Sequence, residues 1–238
     1  MDQSRPGFQL FGALAIAFGV AIGGFFIGRG LLEARSADRF VTVKGLSERQ
    51  VKSDLVIWPL RFAVTADDLS TLQRLSDDSG QKVRQFLAAR FPNDDIGVSA
   101  PRITDRNAQG VSDRSGNLQR YVAEVVVTLR SGNIEAVRTA AEQSGELVKQ
   151  GVALVQDYEN RTQYFYTGLD KIKPEMIVEA TKDARRAAEQ FAKDSGANVG
   201  SIRNAQQGYF NIEDRDAFSP EFKTIRVVTT VQYFLKER

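Results

Sequence analysis

Tyr121-Val122-Ala123-Glu124-Val125-Val126-Val127-Thr128-Leu129-Arg130 reads in two interleaved sets. Successive side chains of a strand point to opposite faces. Tyr121, Ala123, Val125, Val127 and Leu129 therefore share one side, and Val122, Glu124, Val126, Thr128 and Arg130 the other. The first set is apolar, so the stretch predicts a strand over Leu118–Arg130 with that set facing a core. Its neighbours decide what kind of sheet it joins. Upstream, Arg39–Val51 reads as a strand entering a turn near Gly45 and Asp54–Val64 as a second strand. Asp68–Arg90 then recurs at helical spacing through Leu69, Leu72, Leu75, Val83, Phe86 and Leu87, with Asp67 as the expected cap and Pro92 beyond its end. Ile96–Thr104 is a further strand, followed by a polar loop over 106–117.

Downstream the order restarts. Asn133–Gln150 is a helix stopped by Gly151, and Val152–Tyr158 and Arg161–Thr167 are strands. Pro174–Ser195 is a long helix with Pro174 expected in its first turn and Gly196 after its end. Its narrow apolar face is Ile177, Ala180, Ala184, Ala187, Ala188 and Phe191. Gly200–Asn211 and Thr224–Leu235 are closing strands. Strands thus come in adjacent pairs between helices, which predicts an α+β fold of largely antiparallel sheets. The expected organisation is an anchor and linker over 1–38, then one domain over 39–238 with halves near 39–130 and 131–238. Pro59 cannot donate to a ladder, so its strand is expected to lie at an edge or to be bulged there.

Between Arg5 and Arg29 there is no charged residue. As a helix, Pro6–Gly28 spans about 35 Å at ~1.5 Å per residue, enough for a hydrocarbon core of roughly 30 Å. It is expected to be an uncleaved single-pass anchor, because a signal peptide has a shorter apolar run and a small-residue cleavage site. Ala15, Gly19 and Gly23 lie four apart and Gly24 and Gly28 repeat the spacing, a face on which membrane helices pack closely. Flanking charge leaves orientation open, with Arg5 on one side and Arg29, Arg35 and Arg39 on the other.

There is no Cys and no His among the 238 residues. Thiol nucleophiles, disulfides, thiolate metal sites and every His-based triad are excluded. A net charge of +2 gives no electrostatic basis for nucleic-acid binding. Asp105-Arg106-Asn107-Ala108-Gln109-Gly110 opens like a calcium loop, but its twelfth position is Gly116, where a bidentate Glu is required. Glu213, Asp214 and Asp216 cluster in the last polar loop beside Arg215 and Lys223 and read as solvated charge. No catalytic residue, cofactor site or metal site is expected. The aromatic residues Tyr209, Phe210, Phe218 and Phe222 around that loop, and Trp58, are candidates for an oligomer interface or for core.

Four stretches in order resemble the SIMPL-domain family of bacterial envelope proteins. They are Phe40-Val41-Thr42-Val43-Lys44-Gly45, Tyr121–Val127, Gly151-Val152 with Tyr164-Phe165-Tyr166, and Ala180–Ala192 with Gly196 and Gly200. Ser53-Asp54 departs from the family's usual Pro-Asp. In the last stretch Ala180, Ala184, Ala188 and Ala192 form a stripe that lets a helix lie close to a sheet or another helix, a packing device rather than a chemical one. The resemblance implies an extracytoplasmic domain, in the periplasm on the inner membrane, that builds ring- or cage-like homo-oligomers and has no established reaction. The expected function is therefore a non-enzymatic membrane-anchored scaffold partnered by itself. The alternative is a monomeric binding module for a peptide, lipid or partner protein.

Overall fold

The computed structural model describes residues 6–36, 39–110, 118–156 and 160–237; side chains at 6–13, 15, 32–36 and 237 lie outside the description. The chain is α+β, and every strand pairing with a defined register is antiparallel. It divides into two compact units. One comprises residues 1–48, 174–210 and 226–238, the other 49–173 and 211–225. The expected halves meeting near residue 130 are not these units, because the first strand, Phe40–Lys52, shares a sheet with the last, Phe222–Glu237.

The second unit is built on β2 (Leu55–Ala66) and β5 (Tyr121–Ser131), paired from Val56↔Ser131 to Ala66↔Tyr121. Ala123, Val125, Val127 and Leu129 are buried, as the alternation predicts. α2 (Leu69–Arg90) adds Val83, Phe86 and Leu87 to this core, and Trp58 and Phe62 come from β2. Asp68 caps α2, accepting from the Thr71 amide at 2.9 Å. The expected cap, Asp67, instead accepts from the Arg120 amide.

Several expected elements divide. Ile96–Thr104 is two strands, β3 (Asp95–Val98) and β4 (Arg102–Asp105), both on β5. Pro101 has no N–H, and Ser99 turns its hydroxyl onto the Val126 amide, which ends the ladder between them. Asn133–Gln150 is α3 (Ile134–Glu142) and α4 (Gly145–Lys149), separated where Ser144 Oγ donates to the Ala141 carbonyl. β6 (Leu154–Val155) and β7 (Gln163–Phe165) are short and pair with β2 on either side of Pro59. Ala63 donates to Ala153, so the odd-numbered groups of β2 face that side. Against the expectation, β2 is therefore neither an edge strand nor bulged at Pro59; the missing donor falls in the gap between β6 and β7.

In the first unit, α5 (Leu169–Asp194) contributes residues from Pro174 onward. Pro174 is inside this helix rather than in its first turn. Ala180, Ala184, Ala188 and Ala192 are buried, but Phe191 is exposed, off the expected face. β1 (Phe40–Lys52) runs straight through Gly45, where a turn was expected. A Cβ at Gly45 would collide with the Ala180 carbonyl oxygen and the Ala184 amide nitrogen, with Ala184 Cα only 2.9 Å away. The glycine is a contact, not a corner. The adjoining residues lock it, since the Leu46 amide donates to Asp183 at 3.0 Å and Ser47 Oγ to Glu179 at 2.8 Å.

α1 is a helix over Pro6–Ser36, longer than the expected Pro6–Gly28. Among the described residues no helix is long and apolar enough to cross a membrane. Leu14, Ile16, Phe18, Val20, Phe25, Phe26, Ile27 and Leu31 are all exposed on it.

Candidate functional site

The residues expected to form an interface separate on inspection. Trp58 is 6% exposed within the core of β2 and β5, so it has no surface for a partner, which corrects its interface assignment. Phe210 and Phe222 are half-buried, and the Arg215 guanidinium covers the Phe222 ring at 4.3 Å. Tyr209 and Phe218 are 98% and 96% exposed and belong to different units. Gly19, Gly23, Gly24 and Gly28 have nothing within 4 Å of an added Cβ, so the small face of α1 is open; the side chain of Ala15 lies outside the described residues.

The carboxylates of the last loop form no working pair. Glu213 accepts from Asn211, Asp214 is ion-paired to the mostly buried Lys223, and Asp216 accepts from Arg215 at 2.9 Å and the Phe218 amide. The Arg215 bond holds the Asp216 carboxyl below its ordinary range. Each acid has its own partner within the loop. In the calcium-like loop, Asp105 is taken by Arg120 in a forked ion pair, whose hydrogen bonds lower its pKa. The twelfth position, Gly116, lies outside the described residues. No cluster of three or more acids able to hold a metal occurs among the described residues.

Two other features stand out. The first is β8 (Ala197–Gln207), an eleven-residue edge strand bonded, among the described residues, only to β10 (Phe222–Glu237). Residues 201–207 are exposed on both faces. Two register shifts interrupt its lower part, but Asn204–Gln207 pairs regularly with Gln232–Thr229. Gly208 donates to Val228 at 2.8 Å. Hence Asn204 and Gln206 also face β10, and the N–H and C=O groups of Ala205 and Gln207 face outward with no strand beside them among the described residues. Natural edges are usually guarded by charge or proline. Here the one charge, Arg203, lies over the Phe40 ring at 4.1 Å. A run of small and amide residues, Ser201-Ile202-Arg203-Asn204-Ala205-Gln206-Gln207, is the sequence signal for this edge, which periodicity alone missed.

The second is a groove of about 620 Å³ between α2 and the break joining β3 to β4. Its floor includes Val125 and Pro101, and its α2 wall Ser76, Asp77, Gly80 and Arg84. The size is that of a small-ligand pocket.

The family model for SIMPL, described as a protein of unknown function, matches residues 41–233. No curated protein matches the chain. A solved structure described as a hydrolase from Listeria innocua is 13% identical, with 80% of this chain and 92% of that chain covered and a TM-score of 0.18. At that score the likeness carries no argument about fold or activity.

Proposed function

The chain belongs to the SIMPL family, and from that premise we propose that it is a non-enzymatic, membrane-anchored envelope protein that assembles with copies of itself. The observation that carries this reading is the open β8 edge. Paired about a twofold axis at Gln206, two copies place Ala205 opposite Gln207, so both outward N–H and C=O groups of each strand find partners. Asn204 then lies opposite Gly208 and Gln206 opposite its own copy, an amide pairing of the kind that stabilises stacked strands. Arg203 lies opposite the exposed Tyr209, and no like charges meet. One such contact is isologous and gives a dimer. A ring or cage needs a second contact, for which the Gly19–Gly23 face of α1 is available.

Anchoring rests on the uncharged run Pro6–Gly28 and on the large apolar side chains exposed along α1. A helix apolar on all sides is suited to lipid rather than water. Placement of the domain in the periplasm of a bacterial inner membrane rests on the family's envelope character, and protease protection in inner-membrane vesicles checks it.

The chain has no cysteine, so Gln206→Cys tests the twofold directly. Residues facing each other at such a position are about 4.5 Å apart at Cα, within disulfide range. Oxidation is expected to yield a covalent dimer. Ala205→Pro removes only an outward-facing donor and is expected to reduce assembly, read by light scattering of the full chain in detergent. A monodisperse wild-type monomer would sink the self-assembly reading. The groove beneath α2 favours a second reading, that of a binding module.

A further inference from the structure

The groove between α2 and the β3–β4 break has a charge pattern that names a ligand. Asp77 and Arg84 stand seven residues apart on α2, both lining it. Seven residues advance about 10.5 Å along a helix and return to nearly the same face. Arg84 is exposed and has no partner among the described residues, and Asp77 accepts only from the Gln73 amide, at 3.0 Å. The adjoining charges Asp78 and Lys82 are paired to each other at 2.7 Å. One anion and one cation are therefore held about 10 Å apart at the rim of an apolar floor.

The walls between them are small and polar. Gly80 leaves room, since a Cβ there would meet only Phe62 Cζ at 3.7 Å. Ser76 is 5% exposed and its hydroxyl, without a hydrogen-bond partner among the described residues, is closed off beneath the groove. Val125, 4% exposed, closes the bottom of the groove, and the exposed Pro101 of the β3–β4 break lines its side.

We propose that this groove binds a tripeptide with both termini free, its carboxylate on Arg84 and its amine on Asp77. An extended peptide spans about 3.3–3.6 Å per residue, so three residues match the distance between the two charges. A guanidinium takes a carboxylate through two parallel hydrogen bonds, which fixes direction as well as charge. The middle side chain lies over Pro101, and the peptide amides face the exposed Gln73 and Gln81. This site goes beyond self-assembly and does not depend on it.

The test is calorimetric titration of the full chain in detergent with trialanine. Saturable one-site binding is expected, with pentaalanine and the N-acetyl, C-amide form of trialanine each weaker by about tenfold or more, because their charges are misplaced or absent. Arg84→Gln and Asp77→Asn are exposed substitutions expected to weaken trialanine binding by about tenfold with unchanged melting temperature. Ala205→Pro is expected to leave binding unchanged, which separates this site from the assembly contact. No saturable binding up to about 10 mM, a range that still detects affinities weaker than 1 mM, would overturn the proposal. So would equal binding of the blocked peptide, which would leave an apolar pocket only, or wild-type affinity in both charge variants.

Discussion

One sheet is closed by large side chains and the other by the lack of them. Over β5 and β2, α2 places Val83, Phe86 and Leu87 against Val125, Val127 and Leu129. Over β1 and β10, α5 places Ala184 and Ala188 against Val43, Val231 and Tyr233. The first arrangement stabilises by burying apolar area, at about 25 cal/mol per Å². The second relies on backbone approaching backbone, where dispersion is gained only if nothing protrudes. Two glycines, one in each unit, show the difference: Gly45 has no room for a Cβ, whereas Gly80 has ordinary clearance.

Substitutions that exchange these conditions should fail in order of size. Gly45→Val drives methyl groups into the backbone of α5 and is expected to cost about 3 kcal/mol or more, read by urea unfolding. Leu129→Ala empties a fully buried site and is expected to cost about 3 kcal/mol; its counterpart on the open strand, Ile202→Ala, should cost less than about 0.5 kcal/mol. If the two cost the same, the contrast between closed and open strands is wrong. Gly80→Ala should be neutral or stabilise by up to ~1 kcal/mol, since helical alanine outranks glycine and the space exists. Breaking the exposed Arg185–Glu189 pair, at 2.9 Å on the outer side of α5, should cost only ~0.3 kcal/mol.

The smallest effect is read in a pH profile. Asp68 has its pKa lowered to about 2 by the Ser70 hydroxyl and then the Thr71 amide. Because the folded value lies below the ordinary 3.8, its contribution is complete above that value and is lost as pH falls through about 2. Asp68→Asn keeps an acceptor but cannot titrate. Wild type should therefore lose its advantage over the variant across that interval, seen in melting temperature against pH. A constant difference would remove Asp68 as the source.

The fold was readable where one physical signal acted alone. Period-two alternation marked Ala123 to Leu129, and four-residue spacing marked the alanines of α5. Gly151 and Gly196, both with positive φ, ended their helices as read. What escaped depended on partners distant in sequence. Gly45 looks like a turn until Ala180 and Ala184 lie against it. Ser99–Pro101 looks like strand until Ser99 claims the Val126 amide. The α2 groove could not be read at all, because its floor and wall come from segments some forty residues apart. The uncharged N-terminal run and its glycine spacing were visible in the residues, and α1 is helical over that run, while the β8 edge carried only a compositional trace.

The pairing of the first strand with the last also sets a schedule. β10 begins roughly 170 residues after β1 ends, and at about 5–20 residues per second a ribosome needs about 10–30 s to supply it. For that interval each newborn chain holds β1 without its sheet partner, while α2 and β5 are already available to each other. Chains truncated before Arg226 should therefore retain the order of the second unit and expose β1 to protease.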